Sequence, residues 1–120
     1  MIYRQFVAED FDRLYALEQV CFKPPFRFSR RAMRAFVQRS RSTTWIAEEG
    51  GEMAGFAIVE WSARKTETKA YIQTIEVVPE FRRRGVGREL LNRAEESARL
   101  AGLSRRAARP ALQPQGSAPR

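Results

Sequence analysis

Histidine is absent from the 120-residue chain, and cysteine occurs once, at Cys21. The first absence removes Ser-His-Asp and Cys-His catalysis and every histidine-bearing zinc site. The second removes any internal disulfide, which suits a reducing compartment. No apolar run approaches the roughly 18 residues that a helical membrane span requires. Charges also interrupt the N-terminal MIYRQFVAEDFDRLY, where a secretory signal would carry its apolar centre. A cytoplasmic location follows by default. Chemistry on this chain must use carboxylates, tyrosine, lysine, backbone groups or a bound cofactor, and no metal site is expected.

What is present describes one soluble globular domain: 43% hydrophobic residues, 30% charged and 11% aromatic. The net charge of +8 points to an anionic partner. The charge is uneven, because residues 104–120 hold Arg105, Arg106, Arg109 and Arg120 and no acid, which is half of the excess.

Strand-prone residues fill MIYRQFV, residues 1–7. Residues 8–22 have helical spacing in Phe11, Leu14, Tyr15, Leu17 and Cys21, with Glu9, Asp10 and Asp12 in the first turns, where carboxylates suit the helix dipole. Pro24 and Pro25 end that helix. Ser29 is the expected N-cap of a second, 30–40, with Ala32, Met33, Phe36 and Val37 as its apolar stripe. The arginines of that helix suit a solvated face better than a binding one. Two strands, 43–49 and 52–61, flank a hairpin turn at Gly50 and Gly51. A strand over 70–78 and a helix over 88–101 follow, the helix ending at Gly102. No internal repeat occurs. The tail SRRAARPALQPQGSAPR has no aromatic, β-branched or acidic residue and three prolines, so it is expected to be disordered.

Between the last strand and helix lies EFRRRGVGREL. A glycine turn opening a helix exposes backbone N–H groups to an anion, and the helix dipole adds partial positive charge. Gly85 and Gly87 leave room for a ligand, and Arg82, Arg83, Arg84 and Arg88 raise the potential. A Walker loop is excluded by the lack of G-x-x-x-x-G-K-[ST], and Leu90 stands where a dinucleotide fingerprint requires glycine or alanine.

The string YIQTIEVVPEFRRRGVGRELLNRAEESARLAG resembles the cofactor-binding core of the GNAT N-acetyltransferases, whose signature [Q/R]-x-x-G-x-[G/A] falls here on Arg82, Gly85 and Gly87. Within that family it is most similar to the ribosomal-protein N-terminal alanine acetyltransferases, whose first-helix exit and acceptor-side loop resemble LEQVCFKPPFRFSRRAM. The resemblance covers about residues 1–103. It implies an α/β fold with a GNAT-like mixed sheet and flanking helices. It also implies acetyl-CoA as cosubstrate, held by the backbone of Ile75, Glu76 and Val77 and by Arg82, Arg83, Arg84, Gly85, Val86, Gly87 and Arg88, and an amine acceptor, such as a protein N-terminus, that attacks the thioester directly.

In the family, further strands follow this helix and bring a glutamate base and a tyrosine acid. Nothing after Ser104 matches them, so the expectation is an acetyltransferase domain over 1–103 without its C-terminal strands. The tail, 104–120, has the composition of a GC-rich gene read out of frame. Weak or no acetyl transfer is expected of such a chain. No catalytic residue stands out: Glu60, Glu67 and Glu76 lie near the expected cofactor strand, and alternation along that strand sets Tyr71 and Gln73 on the face opposite Glu76. Pro24, Pro25, Phe26 and Phe28 suit an acceptor groove or a plug between helices equally, and Cys21 suits a small core position. Two alternatives stay open: a non-catalytic CoA-binding remnant, and a basic nucleic-acid-binding module, the latter without any recognised motif.

Overall fold

A computed structural model describes residues 1–62, 69–101 and 111–114. Its elements are β1 (Ile2–Gln5), α1 (Phe11–Cys21), α2 (Arg30–Gln38), β2 (Ser42–Glu49), β3 (Glu52–Trp61), β4 (Lys69–Val77), α3 (Val86–Leu100) and β5 (Ala111–Pro114). The strands form one sheet in the order β1-β2-β3-β4-β5, antiparallel except for the last pair. The α/β architecture with flanking helices is the one expected.

Each helix owes its position to the residues it buries. Phe11, Leu14 and Leu17 of α1 and Met33 and Phe36 of α2 pack on Ile46, Phe56 and Ile58 of the sheet. Ser29 caps α2, its Oγ accepting from the Ala32 N–H at 3.0 Å. Helix α3 covers the other face. Val86 and Leu90 meet Ala47, Ala54 and Ala57, and Ala94 meets Val59 and Ala70. Small residues on this face of the sheet let α3 approach closely, whereas the α1–α2 face carries larger side chains.

Two differences from the sequence expectations concern the ends of α3. The helix begins at Val86, not Arg88, because Gly85 takes φ +79° and serves as its N-cap. Beyond α3, Ala111–Pro114 pair in parallel with Lys69–Ile72. The expectation of a structureless tail is corrected for these four residues, since the free edge of β4 offers backbone partners to any extended segment. The rest of 104–120 lies outside the described residues, and no further strand follows β5 among those described.

Asp10 helps to tie down the N-terminal strand, where Arg4 also meets Glu48. Asp10 accepts from Arg4 through both oxygens, at 2.7 and 2.8 Å, and from the Val7 N–H at 2.8 Å. The Arg4 guanidinium holds the Asp10 carboxyl below the ordinary aspartate range, against the opposing effect of burial. A depressed carboxyl stabilises the fold above its unfolded-state value and loses that contribution as pH falls through the folded one. Asp10→Asn is therefore expected to lower stability by about 2 kcal/mol at neutral pH and to flatten the acid limb of a urea-midpoint-against-pH curve. An unchanged acid limb would refute the assignment.

Candidate active site

The C-terminal half of β4 forms the floor of the site. β5 pairs only with Lys69–Ile72, so among the described residues no strand lies beside Gln73–Val77 on the side away from β3. The Glu76 carbonyl turns toward β3, close against Gly55. By alternation, Ile75 and Val77 turn their N–H and C=O groups to the open edge. The Val77 carbonyl is already engaged, accepting from Arg82 Nε at 2.8 Å and from the Cys21 thiol at 3.8 Å. Of the three expected backbone contributors, Ile75 and Val77 thus face the edge, and Glu76 faces inward.

A bulge reorders the side chains of β4. Ile58 pairs with Thr74 but Val59 pairs with Ile72, so Gln73 is the extra residue. Ala70 therefore shares the α3 face with Ile75 and Val77 despite its opposite parity in sequence. The expectation that Tyr71 lies opposite Glu76 is corrected: through their partners Glu60, Ile58 and Phe56, residues Tyr71, Thr74 and Glu76 share the α1–α2 face. The Thr74 hydroxyl donates to Glu76 Oε2 at 2.9 Å in a buried setting. Glu60 is committed to Arg39 at 2.6 Å, and Glu67 lies outside the described residues.

A cleft of about 410 Å³ opens over this edge, lined by Cys21, Phe22, Ile75, Glu76, Val77, Arg82 and Gly87. Glu76 is the one carboxylate among the described lining residues. The α1 exit supplies a wall that spacing alone does not reveal, because Cys21 and Phe22 meet β4 only after the sheet has formed. Cys21 is half-buried against the core cluster and also faces the cleft. Burial pushes its thiol up, the Glu76 charge adds to this, and Arg82 opposes it, so the sulfur stays protonated near neutral pH.

The loop beyond β4 closes one end. The first helical bond of α3 runs from the Glu89 N–H to the Gly85 carbonyl at 3.0 Å. The N–H groups of Val86, Gly87 and Arg88 precede it and lack i−4 partners within the helix. Arg83 also adopts a left-handed conformation, φ +66°, which turns the backbone around this point. A Cβ on Gly87 would stand 3.8 Å from Ile75 and Val77, so any longer side chain there would compete for the cleft.

Charge pairing sets this loop apart from the arginines that meet acids. Arg4, Arg13, Arg30, Arg39, Arg93 and Arg99 each meet a carboxylate. Arg82, Arg83, Arg84 and Arg88 are exposed and meet none among the described residues. Arg82 bonds the Val77 carbonyl and Arg84 lies over the Phe81 ring. Four guanidinium groups that meet no carboxylate among the described residues, beside helix N–H groups without i−4 partners, are suited to a polyanion.

A sequence profile of the acetyltransferase (GNAT) family matches residues 11–114. The chain belongs to this family. Solved structures superpose on 80–98% of the chain. The aminoglycoside 6′-N-acetyltransferase of Acinetobacter haemolyticus has a TM-score of 0.75 at 13% identity, over 98% of this chain and 80% of that one. The ribosomal-protein-S18-alanine N-acetyltransferase of Escherichia coli has a TM-score of 0.69 at 25% identity, over 85% of this chain and 61% of that one. A GNAT-like decarboxylase solved in complex with isobutyryl-CoA has a TM-score of 0.71 at 22% identity, over 83% of this chain and 60% of that one. This GNAT chain thus spans less than two thirds of the last two. No curated protein matches its sequence. No helix among its described residues is long and apolar enough to cross a membrane.

Proposed function

We propose that this GNAT chain binds acetyl-CoA and directs its acetyl group to an amine, specifically the N-terminal amine of a polypeptide, in the cytoplasm. The observation that carries the proposal is the edge of β4, open among the described residues, leading directly into a loop of arginines that meet no carboxylate among them. The free backbone groups of Ile75 and the Val77 N–H would hold the pantetheine arm as an added strand. The N–H groups from Arg83 to Arg88, with their guanidinium groups, would take the pyrophosphate. Gly85 and Gly87 keep side chains out of that approach. Attack of an amine on the thioester then forms the amide as the carbon–sulfur bond breaks, and the amine's proton leaves for a base while the thiolate gains one. The polypeptide acceptor is supported by the likeness to the E. coli enzyme acting on a ribosomal protein and by the acceptor-loop resemblance of residues 17–33.

Calorimetry with acetyl-CoA, followed by a transfer assay on a peptide with a free N-terminal alanine, tests this. Saturable binding of one acetyl-CoA per chain is the expected result. Binding without acetylated peptide would leave a CoA-holding remnant, and no binding at all would overturn the assignment.

A further inference from the structure

The cleft's outer wall leads onto a surface of one charge sign. Residues 22–41 carry Lys23, Arg27, Arg30, Arg31, Arg34, Arg39 and Arg41, and no acid. Arg30 and Arg39 are spent on Asp12 and Glu60. Lys23, Arg27, Arg31 and Arg34 are exposed and meet no carboxylate among the described residues. Their positions are fixed by neighbours other than acids. Arg27 donates to the Phe22 and Gln19 carbonyls at the end of α1, at 2.6 and 3.0 Å. Arg34 lies 4.1 Å over the Phe11 ring. Arg31 and Arg34 lie one turn apart on α2, and Lys23 and Arg27 lie on the stretch between Phe22 of the cleft wall and the start of that helix at Arg30.

Two of these cations, Lys23 and Arg31, make no side-chain hydrogen bond or ion pair among the described residues, whereas Arg27 and Arg34 also brace α1. A cation without a carboxylate partner, beside a site that takes amines, sets the charge that an incoming chain must carry. Among the described residues lining the cleft, Glu76 supplies the opposite sign. An acceptor that suits both features presents an ammonium to the cleft and carboxylates to α2. A polycationic amine suits the first and is repelled by the second.

We propose that the acceptor is an acidic polypeptide, its free N-terminus entering the cleft past Phe22 and its acidic residues lying along Lys23, Arg27, Arg31 and Arg34. The proposal rests on the acetyl-transfer assignment above and deepens it by naming the acceptor's charge. It offers an alternative to the expectation that these arginines form a solvated face.

The test measures binding, so it does not depend on turnover. Three labelled peptides begin with alanine and continue with glutamates, serines or lysines, and their fluorescence anisotropy is titrated with the full chain saturated with CoA. The glutamate peptide is expected to bind roughly tenfold tighter than the serine peptide, and less so as salt rises. Lys23→Glu with Arg31→Glu should abolish that preference. Neither side chain makes a hydrogen bond or ion pair among the described residues, so the thermal midpoint and the CoA isotherm serve as checks on the fold. N-terminal acetylation of the glutamate peptide should weaken it, because the ammonium is lost. Equal binding of the three peptides, or tighter binding of the lysine peptide, would overturn the proposal. So would an RNA oligonucleotide that binds more tightly than the glutamate peptide and is released by the double substitution, since the surface would then serve nucleic acid. A glutamate preference that persists without any CoA signal would count against the acyl-CoA assignment alone.

Discussion

Gly85→Glu combined with Gly87→Glu is expected to weaken CoA binding by about 100-fold, the loss of a charge-assisted anion site. Three effects act together. Gly85 has φ +79°, where an L-residue costs about 1 kcal/mol. Each new carboxylate stands beside N–H groups that would otherwise meet phosphate. The longer side chain at position 87 also projects from a point 3.8 Å from Ile75 and Val77, into the cleft. The helix itself should not suffer, because acids in a first turn favour its dipole. Circular dichroism should therefore stay native while the calorimetric signal falls. Gly85→Ala alone adds only the backbone cost, about 1 kcal/mol of stability, and should leave most of the affinity in place. An unchanged isotherm for the double variant would remove the loop from the site.

Most of the elements follow from the sequence because their apolar spacing agrees with their burial. Phe11, Leu14 and Leu17 predict the buried face of α1, and Leu90, Ala94 and Ala98 that of α3. The glycine loop is legible for a similar reason: local chain order places it between a strand and a helix, with no distant contact needed. What escaped the sequence depends on pairing between segments. The bulge at Gln73 exists only in the register of β4 against β3, and it moves Tyr71 to the face of Glu76. The Arg82 guanidinium reaches back to the Val77 carbonyl, so one acceptor expected at the open edge is taken. β5 escaped because its composition gives no strand signal, and it forms on an edge that already exists. The charge contrast between paired and unpaired arginines is likewise invisible until the carboxylates are placed.

The second large effect is expected at Gly55, where a single methyl group should couple stability to the site. A Cβ there would stand 2.5 Å from the Glu76 carbonyl oxygen and 3.2 Å from the Val77 Cα. Both are backbone atoms of a paired strand, so no side chain can swing aside. β3 and β4 must separate locally, and Gly55→Ala should cost about 2–3 kcal/mol, read from the urea midpoint. The displaced segment is the one whose outer edge carries the Ile75 and Val77 backbone groups. CoA affinity, measured where the variant is still folded, should therefore fall with stability. Gly50→Ala provides the contrast. Its Cβ meets nothing within 4 Å, and only its φ of +62° opposes the change. It should cost about 1 kcal/mol and leave affinity intact, since the hairpin tip is remote from the cleft lining. Joint loss at Gly55 and separate loss at Gly50 would show that the β3–β4 register holds the cofactor edge in place. Native affinity in a destabilised Gly55→Ala chain would show instead that the edge tolerates displacement, and that the arginine loop supplies most of the binding.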